Sequence, residues 1–324
     1  MHEGGHWASG DRGRACKLAQ DDPANRLNRA RVALEGLSVG DAFGERWFYI
    51  PSELIPGLIS SRAEPAPIWD YTDDTQMALS VFHMLRRSQS IDQEGLALSF
   101  ANYYSPSRKY GASMRGLFLH IADGVPWREA ARSLFGGQGS FGNGAAMRVA
   151  PLGAYFADDL EKVVEQAQRS AEVTHAHPEG IAGAIAVAVA AALACQLHDE
   201  RKRPERREFL QLILPFVPQS EMQSKLHRAL EIPQNWTSIA GVVALLGNGS
   251  KISAQDTVPF CLWCVAEHLD NYQEALWLAA SAYGDVDTNC AIVGGIVASY
   301  TGVAGIPEKW LAAREPLPSW PFAD

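Results

Sequence analysis

Hydrophobic residues recur along most of this chain at intervals of three and four positions, the spacing that places them on one face of an α-helix. The first such stretch covers residues 25–44, where Leu27, Leu34 and Leu37 share a face. No segment shows the sustained alternation of a β-strand, so an all-α fold is predicted. Further helices are predicted over residues 75–87, 93–104, 115–122, 127–134, 159–173, 178–197, 205–216, 222–230, 236–246, 258–268, 272–282 and 289–301.

The connections between these stretches are rich in proline and glycine, notably over residues 51–67 and 136–144. The chain shows no repeat of fixed period, so one compact domain is expected over residues 26–324. Residues 1–25 are polar, charged and glycine-rich. This composition predicts a flexible N-terminal arm, with a segment that orders on a partner as the alternative.

The first predicted helix carries a glycine at every fourth position, at Gly36, Gly40 and Gly44. Residues at this spacing lie on one stripe of a helix, so the stripe has no side chains. A second backbone can approach closely along such a stripe. Close approach of another backbone is therefore possible at this stripe.

The charge of the chain limits its partners. Its 324 residues carry 37 acidic and 28 basic side chains, a net charge of −9. A general nucleic-acid binder needs clustered basic residues for the phosphate backbone, so that class is disfavoured. An anionic small molecule remains compatible if metal ions supply local positive charge.

The cysteines and the apolar stretches indicate the compartment of the protein. The five cysteines are scattered, and the Cys261–Cys264 pair lies in an apolar run. Buried thiols on a helix are favoured there over a redox site or a zinc site, since zinc needs four ligands. The longest apolar stretch, residues 181–197, is alanine-rich and predicts a core helix rather than a membrane span. With no secretory leader visible, the cytoplasm is the expected compartment.

Two acidic segments each precede an apolar helical stretch. Thr72, Asp73, Asp74 and Thr75 form the first. Such residues commonly cap a helix, because their side chains accept bonds from the free amides and the helix dipole favours negative charge. Capping accounts for one or two of them but does not require four in a row.

The second acidic segment, Asp285, Asp287 and Thr288, lies far away in the sequence. If the two segments converge, their oxygen ligands would select Mg²⁺, Mn²⁺ or Ca²⁺. Four aspartates carry more charge than one divalent ion needs, so a pair of ions fits better. Two separate helix caps remain the alternative.

Three further segments carry unusual chemistry. Gly142-Asn143-Gly144 is predicted to open a helix, where free amides can bind phosphate, although an ordinary turn is the alternative. His175 and His177 precede another helix and could contact a ligand or form part of a zinc site. At the end of the first helix, Asp41 is interpreted as a structural cap of a neighbouring element.

With these segments in this order, the sequence resembles the ADP-ribosylglycohydrolase family over about residues 30–305. The matching motifs are GDAFG, TDDT, GNGAAMR, TH and GDVDT. The combination of TDDT with a late GDxDT is highly specific, whereas the GNG element alone is not. The resemblance implies a compact orthogonal helical bundle with a central cleft for two divalent cations.

The resemblance also implies roles for individual residues. Catalysis is assigned to Glu45 and Asp74. Several members carry the acid corresponding to Glu45 a few positions further on, where this chain has Trp47, Phe48 and Tyr49. Metal ligation is implied for Thr72, Asp73, Asp74, Asp285, Asp287 and Thr288. Substrate contacts are implied for Tyr110, Gly111, Ala112, Ser113, Gly142, Asn143, Gly144 and His175.

One segment departs from the family pattern. Residues 108–113 resemble the family's phosphate loop, often written RGYGxG, but Lys109 and Ser113 replace two of its glycines. The details of diphosphate binding are therefore expected to differ in this chain.

The implied activity is removal of ADP-ribose from protein side chains, with arginine favoured as the acceptor. Two Mg²⁺ ions, with Mn²⁺ as an alternative, would hold the ribose hydroxyls and activate water, and Asp74 or Glu45 would act as general base. An immunity protein that blocks an ADP-ribosyltransferase toxin through the N-terminal arm is the second interpretation. A helical metal-dependent phosphohydrolase is more distant, because its H…HD…D pattern is absent.

Overall fold

A computed structural model of the chain describes residues 22–236 and 238–323. Apart from two isolated bridges, these residues form helices and connections without strands, so the predicted all-α fold is confirmed. Most of the predicted N-terminal arm lies outside the described residues. The α-helices are α1 Pro23–Glu45, α2 Ile55–Ser60, α3 Asp73–Ser88, α4 Gln93–Asn102, α5 Ala112–Ala122, α6 Trp127–Gly137, α7 Ala150–Tyr155, α8 Leu160–Glu172, α9 Pro178–Asp199, α10 Arg206–Ile213, α11 Glu221–Glu231, α12 Ile239–Leu246, α13 Ala254–Glu267, α14 Tyr272–Ala280, α15 Val286–Thr301 and α16 Glu308–Ala313.

All thirteen predicted helices are present, with ends that differ by a few residues. Two of the larger differences lie at helix starts that carry polar residues: α13 begins at Ala254 rather than Val258, and α15 at Val286 rather than Asn289. These first turns are built by capping and acidic residues, which a hydrophobic periodicity does not detect. Three short helices, α2, α7 and α16, were not predicted, because six residues hold less than two full turns of the pattern.

The Gly142-Asn143-Gly144 segment does not open an α-helix, which corrects that prediction. Asn143–Ala145 form a single 3-10 turn, and the next helix begins only at Ala150. Pro151 contributes to this break, because it lacks the amide that a helix running through it would need. Further 3-10 turns lie at Arg46–Tyr49, Pro106–Arg108, Leu214–Phe216 and Val303–Gly305.

The glycine stripe of α1 packs against the backbone of α15, a close approach of the kind that the sequence allows. A Cβ added at Gly40 would overlap the carbonyl oxygen of Cys290, and one at Gly44 would lie 2.6 Å from the Cα of Asp287. The hydroxyl of Tyr272 donates to the Gly36 carbonyl at 2.6 Å and secures the far end of the stripe. The close approach brings the last turn of α1 beside the first turn of α15.

Helix α9 forms the centre of the apolar core. It is long and apolar enough to cross a membrane, but 89% of its most hydrophobic window is buried within the fold. Helices α7, α8, α13 and α15 pack around it. The prediction of a core helix is therefore confirmed, and Cys261 and Cys264 of α13 are buried free thiols, as predicted.

A cluster of aromatic side chains fixes the segment that leads into α3. The ring of Trp310 stacks on Phe43 of α1 at 4.6 Å, and Trp69 packs edge-on against both. The backbone amide of Trp69 donates to the Ala313 carbonyl at 2.7 Å. Next to it, the Glu315 carboxylate accepts from the Tyr71 amide at 2.8 Å. The C-terminal region thus holds the residues immediately before the first acidic segment.

Candidate active site

The first turns of three helices border one cavity of about 560 Å³. Asp73 of α3, Ala112 of α5 and Asp287 of α15 line it. A volume of this size is within the range of small-molecule sites. Because helix N-termini present free amides and a positive dipole end, the arrangement suits an anionic ligand together with nearby carboxylates.

Asp41, on the last turn of α1, caps helix α3 from outside. Its carboxylate is fully buried and accepts from the backbone amides of Thr72 at 2.9 Å and Thr75 at 3.0 Å. The hydroxyl of Thr75 also donates to it at 2.6 Å. The interpretation of Asp41 as a cap for a neighbouring element is therefore correct. This contact fixes the first acidic segment relative to α1.

Carboxylate oxygens of Asp41, Asp74 and Asp287 all lie within 4.8 Å of one another. The two acidic segments therefore converge. The hydroxyl of Thr72 lies 2.9 Å from Asp74 Oδ2, whereas Asp74 Oδ1 is buried without a hydrogen-bond partner. A buried carboxylate oxygen left unpaired is costly, so this oxygen fits a role as a cation ligand.

The second acidic segment is held by a side chain from the GNG turn. The Asn143 side-chain nitrogen donates to Asp285 Oδ2 at 2.6 Å and to the Thr257 hydroxyl at 3.0 Å. Thr288 lines the same cavity as Asp285. Asn143, which was predicted to contact substrate, thus orients an acidic residue in this structure.

The raised pKa values of these carboxylates show that their ionised forms need a positive counter-charge. Burial raises the pKa of Asp74 and Asp287 well above the usual range, and neighbouring carboxylates raise both further. Burial, followed by the charge of Asp41, raises the pKa of Asp73 to about 8. Burial also raises the pKa of Asp285, against the hydrogen bond from Asn143. Divalent cations would relieve this repulsion.

Glu45 lies one helical turn after Asp41, at the end of α1, and is buried. Its carboxylate forms an ion pair with the ammonium of Lys109, which also contacts the hydroxyl of Tyr49. The predicted catalytic acid is therefore on the same helix as Asp41, and it is paired with a lysine from the loop before α5.

The residues at the start of α5 line the cavity, whereas the preceding tyrosine ring packs elsewhere. Gly111, Ala112 and Ser113 line it. The ring of Tyr110 instead packs on Tyr104 and Phe118, at 4.8 and 5.6 Å. Three of the four predicted loop residues are thus placed at the cavity, and Tyr110 supports them from behind.

The GNG turn and His175 form another wall. A Cβ added at Gly144 would lie 2.9 Å from the His175 ring, so the glycine permits this close approach. Thr174 Oγ1 lies 2.7 Å from His175 Nδ1, and burial lowers the pKa of His175 to about 3, so the ring is neutral at pH 7. His177 points elsewhere and accepts from the Glu179 amide as the cap of α9.

A buried arginine supports the GNG turn. Arg148 donates to the carbonyls of Gly144 at 3.1 Å and Ser170 at 2.7 Å, and its guanidinium lies over the Phe100 ring. Burial lowers the pKa of Arg148 to about 9. This fixed cation contributes positive charge behind the cavity.

Sequence reasoning missed two contributions to the site. Asp41 belongs to the three-carboxylate group, although only its capping role was inferred. Lys109 was noted as a departure from a motif but was given no role. For Asp41 the signal was its place in the GDAFG motif, and for Lys109 it was the replacement of a glycine.

Comparison with known proteins agrees with this geometry. The family model for ADP-ribosylglycohydrolase matches residues 22–320. The chain is 32% identical to ADP-ribosylhydrolase ARH3 of Bos taurus, over 90% of each protein. It is 26% identical to the ADP-ribosylarginine hydrolase Tri1 of Pseudomonas putida, over 92% of this chain and 76% of that protein.

A solved structure supports the same assignment. An ADP-ribosylglycohydrolase-related protein complex matches with a TM-score of 0.62 and 25% identity, covering 90% of this chain and 94% of that one. The fold and the acidic cavity thus define a helical glycohydrolase. The chain belongs to the ADP-ribosylglycohydrolase family.

Proposed function

We propose that this protein is a hydrolase that removes ADP-ribose from modified protein side chains by cleaving the glycosidic bond at ribose C1″. The observation that carries the proposal is the convergence of Asp41, Asp74 and Asp287, of which Asp287 lines a cavity large enough for the ligand. Membership of the family supports it.

The acidic residues fit divalent cations. Asp74 Oδ1 is buried and unpaired, and the donor set consists of oxygen atoms, which suits Mg²⁺ or Mn²⁺. Two ions would be held by Asp74 and Asp287 with Asp73, Asp285, Thr72 and Thr288 around them. When bound, such a pair would neutralise the carboxylates, hold the ribose 2″- and 3″-hydroxyls and activate water.

The remaining cavity surface fits the rest of ADP-ribose. The free amides at the start of α5, around Ala112 and Ser113, would bind the diphosphate. At the other end, Phe135 and Phe141 line the cavity with their ring centroids 6.1 Å apart. The adenine would pack against these rings.

The remaining catalytic roles are assigned to the protein's own side chains. Cleavage at C1″ builds positive charge on the ribose ring, which nearby carboxylates stabilise. Asp74 belongs to the three-carboxylate group, so we assign the general-base role to Glu45, which pairs with Lys109. His175, neutral and held by Thr174, would contact the ligand.

The test uses peptides that carry ADP-ribose on arginine or on serine, incubated with the protein with and without Mg²⁺. We expect Asp287→Asn to abolish release of ADP-ribose while the circular dichroism spectrum stays helical. Asp270→Asn, at an exposed acid outside the cavity, is the matched control. Full activity in the presence of EDTA would refute the metal-dependent mechanism.

Arginine is the acceptor we propose first, supported by the similarity to a protein named as an ADP-ribosylarginine hydrolase. The two peptides decide this point. Release from the serine peptide alone would leave the hydrolase proposal standing and reject arginine as the acceptor.

A second role is supported by the polar, glycine-rich sequence of residues 1–25. As an immunity protein, the chain would bind an ADP-ribosyltransferase toxin through this arm. Removing residues 1–21 should then abolish toxin binding in a pull-down and leave hydrolysis unchanged. Equal toxin binding by both forms would reject the arm as the binding element.

A further inference from the structure

Lys109 closes over a buried carboxylate at the acidic end of the cavity. Its ammonium contacts the Glu45 carboxylate and lies 4.5 Å from the centroid of the Tyr49 ring. The Glu45 side chain is 3% exposed and that of Lys109 is 46% exposed. The lysine therefore covers part of the surface of Glu45 and contributes to its burial.

The backbone at Lys109 adopts a conformation that favours glycine. Its φ of 62° lies in the left-handed region, where a side chain is disfavoured. Because glycine would satisfy the backbone at this position without strain, the contribution of a lysine is its side chain. That side chain places one positive charge beside the acidic residues.

The carboxylates around the cavity carry enough negative charge to balance this lysine even when cations are bound. Two divalent ions would balance four of the negative charges, and Lys109 and Arg148 would balance the other two. Arg148 is already fixed by the Gly144 and Ser170 carbonyls. The six carboxyl groups on the surrounding segments are those of Asp41, Glu45, Asp73, Asp74, Asp285 and Asp287.

Lys109 also interacts with the acidic group beyond its direct partner. Burial lowers its pKa, and the charges of Asp287 and Asp41 act in the opposite direction. The ammonium and the three-carboxylate group therefore interact electrostatically across the cavity.

We propose that Lys109 is a positioning residue that holds Glu45 against the cavity wall and supplies a fixed positive charge, which sets how tightly the site binds divalent cations. The inference rests on the metal-dependent function proposed above. It concerns this chain's own replacement of a motif glycine.

The first test is calorimetric titration of the full chain with Mn²⁺ in the absence of substrate. Lys109→Gln should bind Mn²⁺ roughly tenfold more tightly, because one positive charge near a divalent ion is removed. Lys109→Arg keeps the charge and should restore the wild-type affinity to within about twofold. The control is Lys309→Gln, which breaks an ion pair with Glu64 outside the cavity and should leave the affinity unchanged.

The second test is thermal unfolding in EDTA. Lys109→Gln should lower Tm more than Lys309→Gln does, because it leaves Glu45 buried without a partner. Unchanged or weaker Mn²⁺ binding by Lys109→Gln would overturn the proposal. If the wild-type protein binds no Mn²⁺, the metal-dependent function fails, and equal Tm losses for the two variants in EDTA would then also reject the role of Lys109.

Discussion

At the scale of single residues, Asp41 connects the framework of the protein to its site. It is buried, caps α3 through Thr72 and Thr75, and also belongs to the three-carboxylate group. A carboxylate that accepts several hydrogen bonds is held in a defined orientation. Its position in the three-carboxylate group is thus determined by the same bonds that begin α3.

The Thr75 hydroxyl provides a test of this cap. Thr75→Val removes the 2.6 Å bond to Asp41 while keeping the shape of the side chain. We expect the free energy of unfolding to fall by about 0.5–1.5 kcal/mol, the usual net contribution of one hydrogen bond, because the amides of Thr72 and Thr75 still donate to Asp41. Thr75→Ser keeps the hydroxyl and should lose less. Urea titrations measure both, and equal losses would argue against the bond.

The raised pKa values make stability depend on pH in the metal-free protein. Asp73 binds its proton up to a pH of about 8 in the folded state but only to about 3.8 in the unfolded state. The folded state therefore holds more protons in this window, and stability must fall as pH rises. In EDTA, we expect the free energy of unfolding to decrease between pH 4 and pH 8.

Two comparisons sharpen this pH prediction. Saturating Mg²⁺ should flatten the dependence, because a bound cation favours the ionised carboxylates. Asp73→Asn removes one of the titrating groups and should also reduce the slope. A metal-free protein that gains stability across this window would contradict the electrostatic description.

At this scale the sequence predicted residue types better than partners. Both acidic segments contribute residues to the cavity. They could be predicted because each motif is local and lies at the start of a helix. The partner of Glu45 could not be predicted, because Lys109 reaches it from a distant loop. The same holds for Asn143 and Asp285, whose contact depends on how separate segments pack.

At the scale of elements, the contact between α1 and α15 determines the position of both acidic turns. Gly40→Ala would place a methyl group on the carbonyl oxygen of Cys290. We expect a loss of about 1–3 kcal/mol or more, because the helices would have to separate. The loss of stability should be accompanied by weaker Mn²⁺ binding.

The matched control for this change is Gly116→Ala in α5. Nothing lies within 4 Å of a Cβ at that position. Alanine is preferred over glycine within a helix, so this variant should gain about 0.5–1 kcal/mol. Thermal unfolding of both variants distinguishes a local packing effect from a general effect of adding a methyl group.

The long helices could be predicted from periodicity, and the short elements could not. Helix α9 buries alanines on all sides, and it was predicted from the length of its apolar stretch. The turn at Asn143–Ala145 was mistaken for a helix start because glycine and asparagine begin both structures. Tertiary contacts decide between the two, and these are absent from a local pattern.

At the scale of the whole molecule, the C-terminal region completes the fold around α3. Trp310 is fully buried against Phe43 and Trp69, and Glu315 holds the segment before Thr72. Trp310→Ala should cost about 3–5 kcal/mol, as for other large buried aromatics. Trp236→Ala removes a ring that is 38% exposed and should cost much less. Chemical denaturation compares them.

The direct contact between the α1 and α15 backbones also bears on how this protein tolerates change. The spacing between Asp41 and Asp287 is determined by main-chain atoms in contact. A side-chain substitution elsewhere cannot change this spacing in small steps. Substitutions in helices that do not touch this contact should therefore leave the spacing of these carboxylates unchanged. Engineering of a new acceptor preference should therefore begin at the edge of the cavity and leave the contact between α1 and α15 unchanged.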